Sequence, residues 1–464
     1  MLKVFNRFYT IRNLIFFLGE TGLIFLGIWL VIFMIYSGEI SRDSDLMNYW
    51  SRILLITFLI QLSLYYHDLY DFRKKSGMLE LSIRIVSAIG VACIGLAALY
   101  YMFPYLILEQ GIFFFAIFIL ILFLVSWRLI YQYACLLGLW NEKVIMVGDG
   151  SLAEMIGNEI RSNIDSGYTI NAVFSNPGKS SLAQDLGAEK NDDYSGLYDY
   201  CMNNGIRKII VALEERRGRS PVQDLLNCKM MGIKVLEGFS FYETLSGKVL
   251  ASDTPPSWLV FSNGFRRNKP TVVAKRVLDV SFASIGIVLS LLLQLVVALL
   301  IKATSPGNVF FRQTRVGQME KNFNVIKFRT MYENAEDHSG AVWAEEDDPR
   351  ITTIGRILRK FRIDELPQFW NVLKGEMSFI GPRPERPEFV EQLKKKLPYY
   401  SERHSVKPGI TGWAQINYGY GASEEDALRK LEYDLFYIKN LSLVFDLYIV
   451  LKTVKIVLIG HGAR

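Results

Sequence analysis

Leu14-Ile15-Phe16-Phe17-Leu18-Gly19-Glu20-Thr21-Gly22-Leu23-Ile24-Phe25-Leu26-Gly27-Ile28-Trp29-Leu30-Val31-Ile32-Phe33-Met34-Ile35-Tyr36 is long and apolar enough to span a bilayer. A hydrocarbon core of about 30 Å needs roughly 20 such residues in a helix. The run exceeds the roughly 7–15-residue core of a secretory signal, and no small-x-small cleavage site follows it. Three more apolar runs come after it: Ile53–Tyr66 with its flanks, Ile83–Phe103 and Ile112–Leu129. The second is the shortest and carries Gln61. Together they predict a four-helix transmembrane domain over residues 1–140.

Loop charge sets the orientation. Lys3, Arg7 and Arg12 precede the first run, and Arg73, Lys74 and Lys75 lie between the second and third. The loop from Pro104 to Gly111 has no Lys or Arg, whereas Arg128 and Lys143 close the fourth run. The first loop is balanced, with Arg42 and Arg52 against Glu39, Asp43 and Asp45. Lys and Arg favour the cytoplasmic side, so both ends of the four-helix unit are expected there.

Composition agrees with a membrane location and removes several alternatives. The 464 residues are 51% hydrophobic and 21% charged, which excludes intrinsic disorder. Four cysteines without a CxxC pair exclude a disulfide scaffold and a zinc ribbon. His67, His338, His404 and His461 form no HxH or HExxH, so a histidine-ligated metal has no support. The net charge of +6 fits a chain that meets anionic lipid or phosphate, and no nucleic-acid partner is expected.

After Trp140 the pattern becomes α/β. Runs at Lys143–Val147, Thr169–Phe174, Lys208–Leu213 and Lys234–Leu236 alternate with helical segments, which predicts a parallel sheet with crossover helices over 141–262. The first leads into Gly148-Asp149-Gly150-Ser151-Leu152-Ala153, a GxGxxA turn of the kind that seats a pyrophosphate at a helix N-terminus in a Rossmann domain. The acid expected about 20 residues further on is missing, because Ser175-Asn176-Pro177 follows the second strand. A regulatory nucleotide site, or a structural domain with a vestigial loop, is therefore preferred to NAD chemistry. Asp253-Thr254-Pro255-Pro256 begins a proline-marked linker that ends near Pro270.

A fifth apolar run, Val277–Ile301, has Lys275-Arg276 before it and Lys302, Arg312 and Arg315 after it. Basic residues on both flanks favour a helix that enters the membrane and returns over an ordinary fifth span. Leu443–Ile459 holds Asp446, Lys452 and Lys455, which fits a helix lying in the interface. Leu431–Tyr437 reads similarly, with a core helix as the alternative.

Residues 305–420 concentrate Arg, Gly-Pro and acidic motifs. They include Lys327-Phe328-Arg329-Thr330-Met331, Asp348-Pro349-Arg350, and Asp364-Glu365-Leu366-Pro367-Gln368 with Arg359 five residues upstream. Gly381-Pro382-Arg383-Pro384-Glu385 and Lys407-Pro408-Gly409-Ile410-Thr411-Gly412-Trp413-Ala414-Gln415 complete the set. Arg and Lys beside rigid turns suit phosphate oxygens. An Asp-Glu pair offers a carboxylate nucleophile and a hard oxygen ligand for magnesium. Each motif also has a plain reading: helix capping for Asp-Glu, a solvated or lipid-facing surface for the Arg residues, a turn for Gly-Pro. No GxSxG or Walker A loop occurs.

From about Lys275 to Ile459 these motifs, in this order, resemble the bacterial sugar transferase family, the monotopic polyprenyl-phosphate glycosyl-1-phosphate transferases. The whole chain is similar to its large members, which initiate exopolysaccharide, capsule or O-antigen synthesis. The resemblance implies a mostly α catalytic domain over 263–464, a UDP-sugar and a polyprenyl phosphate as substrates, and UMP as product. It makes Asp364 the nucleophile and Glu365 a ligand of magnesium. Lys327, Arg329, Arg359, Arg383 and Asp446 become substrate-binding residues, and Asp434 is a further matching acid. It also implies a multi-pass protein of the bacterial cytoplasmic (inner) membrane with its catalytic domain on the cytoplasmic face, and downstream membrane glycosyltransferases as partners. The residues do not fix an oligomeric state, although a homodimer is a common arrangement for such a protein. One departure stands out: where the family breaks its membrane helix with Ser-Pro, this chain has Leu291-Leu292. The competing function is a membrane-anchored NAD-dependent nucleotide-sugar epimerase or dehydratase. Its YxxxK matches, Tyr70–Lys74 and Tyr448–Lys452, follow no second glycine-rich fold.

Overall fold

A computed structural model describes residues 2–4, 7–9, 11–36, 43–70, 77–107, 112–163, 166–175, 182–213, 221–266, 268–332, 348, 350–419, 421 and 423–459. The loop charges Glu39, Arg42, Arg73, Lys74 and Lys75 lie outside them, as do Asn176, Pro177 and Pro349. The chain divides into two compact units, with the boundary between Phe241 and Tyr242.

The first unit begins with the helices Ile11–Tyr36, Asp43–Tyr66, Met78–Met102 and Ile112–Leu136. All four feed one core, in which Ile24, Ile28, Ile53, Leu64, Ile85, Ala88, Leu120 and Leu124 are buried. Their outer faces carry exposed Leu18, Phe58, Ile94 and Phe118, as expected of helices that are apolar all round. Asn13–Met34, Met78–Met102 and Phe115–Leu136 are long and apolar enough to cross a membrane. Asp43–Tyr66 forms its expected helix but stays outside that group, since Asp43, Asp45, Arg52 and Gln61 dilute it. The fourth helix to qualify is Lys269–Thr304 in the second unit. The four mark a membrane protein. Glu20 and Arg128 face each other at 2.6 Å inside the first bundle, both buried. Charges at that depth persist only as such pairs.

The α/β part of this unit holds the strands Glu142–Val147, Tyr168–Phe174, Glu189–Asn191, Lys208–Val211 and Lys234–Glu237. They form one parallel sheet in which the first strand lies between the second and fourth, and the third and fifth are the edges. The first strand runs into Gly148, whose φ is +114°; a Cβ there would lie 2.4 Å from the Ala212 carbonyl oxygen. Glycine is thus required by the neighbouring strand's end. The helix Ser151–Ser162 opens directly after Gly150.

The second unit is mostly helical. Its long helix, Lys269–Thr304, runs without interruption through Leu291-Leu292. Near one end Arg276 donates to the carbonyls of Val372 (2.6 Å) and Leu373 (2.8 Å), closing the helix Gln368–Lys374. One turn on, Asp279 accepts from Ser378 Oγ (2.9 Å) and the Phe379 amide (2.8 Å). Toward the other end Val297 and Ile301 pack with Phe328 and Leu358. Mid-helix, Ser290 donates to the Gly286 carbonyl (2.5 Å) and accepts from Gln294 (2.8 Å).

Two small sheets complete this unit: the antiparallel pair Phe310–Val316 and Asn322–Phe328, and the parallel pair Ser378–Ile380 and Gly409–Thr411. The helix Glu424–Lys439 corrects an expectation. Leu431, Leu435, Phe436, Tyr437 and Ile438 are all buried, so the segment read as interfacial is a core helix. Leu443–Ile459 differs: Phe445, Asp446 and Ile449 face inward, while Val444, Leu447, Leu451, Val454 and Val457 are exposed.

Candidate active site

Thr352 caps the helix Thr353–Lys360 by accepting from the Gly355 amide at 2.9 Å. At its other end Arg362 adopts a left-handed conformation, φ 53°, that turns the chain inward. The 3-10 turn Ile363–Glu365 follows, and its two carboxylates are both buried. A positive φ at a non-glycine residue costs energy and persists only where the surroundings enforce it. Here it delivers Asp364 and Glu365 beneath the strand that carries Lys327 and the turn that carries Arg383.

Glu365 is the hub. Its Oε1 lies 2.8 Å from Arg383 and 3.1 Å from Lys327, and its Oε2 is 3.7 Å from Arg362. Burial alone would raise this carboxyl, but Arg383, Lys327 and Arg362 together hold it well below the usual range. Asp364 moves the other way. Burial raises it, and the charge of Glu365 adds to that, against Lys327, Arg359 and Arg383. Two adjacent carboxyls are thus split in acidity. Glu365 is a locked anion, and Asp364 keeps the greater affinity for an electrophile once ionised.

Several expected residues fall around this pair. Arg359 donates to Thr330 Oγ1 at 2.9 Å and acts on Asp364 through its charge. Asp434 stands one layer back: it pairs with Arg403 at 2.9 Å, and Arg403 in turn donates to the Arg383 carbonyl at 3.0 Å.

Two expected residues are not brought to the pair. Arg329 is buried and spends its guanidinium on the carbonyls of Pro306 (2.5 Å) and Ser305 (2.9 Å) and on Ser305 Oγ (2.7 Å). Asp446 pairs with Lys275 at 2.8 Å and accepts from the Tyr437 hydroxyl at 2.8 Å; Lys275 and Tyr437 both also donate to the Ile380 carbonyl. Arg362 and Arg403 were not singled out in the sequence. The i, i+3 spacing of Arg362 and Glu365 was a usable signal for the first; Arg403 had none.

Among the described residues no three His, Cys, Asp or Glu side chains form a metal cluster. The available donors are the two carboxylates of Asp364 and Glu365. Magnesium is commonly held by one or two carboxylates together with substrate phosphates, so this donor set fits it in that mode.

Fold and site define a membrane protein whose helical unit buries an Asp-Glu pair within a ring of Lys and Arg. Residues 270–460 match the bacterial sugar transferase family, and residues 66–227 match a CoA-binding domain. The chain is 46% identical over 241 residues to a UDP-N-acetylgalactosamine-undecaprenyl-phosphate N-acetylgalactosaminephosphotransferase of Aeromonas hydrophila, covering 52% of this chain and 56% of that protein. It is 33% identical over 329 residues to an undecaprenyl-phosphate glucose phosphotransferase of Komagataeibacter xylinus, covering 68% and 58%. It is 32% identical over 329 residues to a UDP-glucose:undecaprenyl-phosphate glucose-1-phosphate transferase of Escherichia coli, covering 68% of each. The protein belongs to the bacterial sugar transferase family. It spans little more than half the length of the first two of these relatives.

Proposed function

We propose that the protein transfers a sugar-1-phosphate from a UDP-sugar to a membrane polyprenyl phosphate, undecaprenyl phosphate by analogy with its relatives, and releases UMP. The carrying observation is the split pair: Asp364 buried beside a Glu365 that Arg383 and Lys327 hold ionised. Asp364 attacks the β-phosphorus, the bond from that phosphorus to the bridging oxygen breaks, and UMP departs with the electron pair. The sugar phosphate is left on Asp364 as an acyl phosphate. An oxygen of the polyprenyl phosphate then attacks the same phosphorus and frees Asp364. Lys327 and Arg383 take the charge that develops on the phosphoryl oxygens. Glu365 would hold magnesium, which when bound neutralises diphosphate charge.

The membrane arrangement is part of the same proposal: a bacterial inner-membrane protein with the catalytic domain, 263–464, on the cytoplasmic face, acting before other membrane glycosyltransferases and working as a homodimer. The helix Lys269–Thr304 enters and leaves on that one face. Arg276 and Ile301 are about 38 Å apart along a helix axis. Both nevertheless pack on the same compact unit, which a crossing between them would pull apart. The bonded Ser290 and Gln294 offer a site for a shallow bend. The exposed apolar side of Leu443–Ile459 lies in the interface. The middle domain is Rossmann-like over its five strands, 142–237, whose order supports that reading.

The experiment is a panel of UDP-N-acetylgalactosamine, UDP-glucose and UDP-galactose with undecaprenyl phosphate and magnesium, reading the nucleotide released. UMP is expected with at least one donor. Release of UDP instead would overturn the phosphosugar mechanism.

A further inference from the structure

Arg383 reaches Glu365 from a turn flanked by Pro382 and Pro384, and the aim of its guanidinium depends on what holds that turn. The structure holds it on several sides. A Cβ on Gly381 would fall 2.3 Å from the Lys407 carbonyl oxygen, one on Gly409 would fall 2.1 Å from the Gly381 nitrogen, and one on Gly412 2.1 Å from the Gly381 oxygen. Three glycines therefore let the 381 and 407–412 segments cross in direct backbone contact. This fixes the start of the turn but not Arg383 itself.

The flanking residues are bonded too: the Gly409 amide donates to the Pro382 carbonyl (2.9 Å), Arg315 to the Pro384 carbonyl (3.1 Å) and the Val316 amide to the Glu385 carbonyl (2.9 Å). The Arg383 carbonyl itself is met by a buried side chain. Arg403, in the 3-10 segment Tyr400–Ser405, donates from one terminal nitrogen to the Arg383 carbonyl (3.0 Å) and to Asp434 Oδ2 (2.9 Å). Its other terminal nitrogen donates to the Tyr400 hydroxyl at 2.6 Å. Arg403 and Asp434 are 7% and 2% exposed, whereas the Arg383 side chain is 41% exposed. We propose that Arg403 is a positioning residue for the transfer site: backed by Asp434, it fixes the backbone of Arg383 so that its guanidinium meets Glu365 and the substrate phosphate.

The proposal rests on the transfer reading given above. Arg403 is not among the ion partners of Glu365, so it acts through Arg383 rather than on the reacting atoms. Its three bonds use the planar fork of a guanidinium. A lysine keeps the charge beside Asp434 but cannot reproduce the fork. Arg403→Lys thus separates geometry from charge.

The test is a double-mutant cycle on the full-length protein, with the three UDP-sugars and undecaprenyl phosphate named above. Arg403→Lys is expected to lower kcat on the order of 10- to 100-fold, the scale of a misplaced catalytic group, with KM for the UDP-sugar changed less than about three-fold. Placed on Arg383→Ala, the same change is expected to cost less than about three-fold, because there is no guanidinium left to aim. Full kcat in Arg403→Lys, or an equal loss in both backgrounds, would overturn the proposal. Melting temperatures of the same four proteins are expected to be non-additive, and additive shifts would also count against it. Should the wild type release no UMP from any donor, the transfer reading fails and the melting cycle alone decides whether residues 403 and 383 are coupled. If Arg403→Lys does not fold, Asp434→Asn takes its place in the cycle with the same expected pattern and the same overturning results.

Discussion

The Arg383 guanidinium lies 2.8 Å from Oε1 of Glu365, on the same oxygen that Lys327 reaches at 3.1 Å. One oxygen therefore collects two cations, and the neighbouring Asp364 feels both without, among the described residues, an ion pair of its own at that distance. This arrangement makes Arg383 serve two partners, Glu365 and an incoming phosphate. Arg383→Ala is expected to reduce UMP release by about 100- to 1,000-fold, the effect of deleting one preorganised donor to developing charge. Initial rates at saturating UDP-sugar check it; a loss confined to KM would mean that Arg383 binds substrate without favouring the transition state.

The two carboxylates should respond oppositely to removal of their charge. Asp364 is raised by burial, so a neutral amide of the same shape relieves a desolvation cost. Glu365 balances three cations, and its amide leaves them uncompensated. Asp364→Asn is expected to abolish UMP release while melting within a degree or two of the wild type. Glu365→Gln is expected to cost about 3 kcal/mol, the loss typical of breaking a buried pair from one side. Thermal melts of the two variants side by side test the contrast, and equal melting temperatures would contradict it.

Arg329 is expected to be a structural residue. Its guanidinium satisfies two carbonyls and a hydroxyl at Ser305-Pro306, where the long helix ends. Arg329→Ala strands those acceptors, at about 1–3 kcal/mol for each buried group left unsatisfied. A lowered melting temperature is expected, with KM for the UDP-sugar unchanged in protein that remains folded. A raised KM at full stability would return Arg329 to the phosphate site.

Arg329 also marks where sequence reading reaches its limit. Lys327 and Arg329 sit two apart on the strand Asn322–Phe328 and its continuation, and nothing local tells which one meets Glu365. That choice depends on Ser305, 24 residues away. Arg403 was invisible for the same reason: its partners are Arg383, 20 residues back, and Asp434, 31 residues on. Asp364-Glu365 could be read because the chemistry of the pair is adjacent in the chain. The apolar runs could be read because a helix of that length and hydropathy has few other homes. The same logic failed at Leu431–Tyr437, since an apolar stripe does not say whether lipid or protein covers it.

Asp434 links pH to the turn that carries Arg383. Burial pushes its carboxyl up to about 6, although Arg403 pulls the other way; Glu385 and Lys430 also face it. An unfolded Asp titrates near 3.9. The folded state therefore binds this proton more tightly, and the stability contributed by the group is present at low pH and lost as pH rises through about 6. Activity should move in the opposite sense, because a neutral Asp434 no longer backs Arg403. Between pH 7 and 5 the melting temperature of the wild type relative to Asp434→Asn is expected to rise. Over the same window the kcat of the wild type relative to Asp434→Asn is expected to fall. Parallel melts and UMP assays check both, and movement of the two in the same direction would refute the link.

Residues 242–262 fall between the two matched regions, 66–227 and 270–460, yet they are tied into the second unit. Lys439 is buried, pairs with Glu243 at 2.6 Å and stands 3.8 Å above the Trp258 ring. Trp413 donates from its indole nitrogen to the Gly247 carbonyl at 2.8 Å. Lys439 closes the core helix Glu424–Lys439 that also carries Asp434. Removing one member of a buried pair strands the other, whereas replacing both with neutral groups of similar volume is often tolerated. Lys439→Met is accordingly expected to cost about 3 kcal/mol by leaving Glu243 with the neutral Asn440 amide (3.0 Å) but without its cation, and Glu243→Gln added to it should recover more than half of that loss. Because the helix bears Asp434, kcat should fall with Lys439→Met and recover with the double variant. Melting and UMP release measured on the two single variants and the double decide it: additive losses would mean that residues 242–262 merely lie against the second unit instead of bracing it.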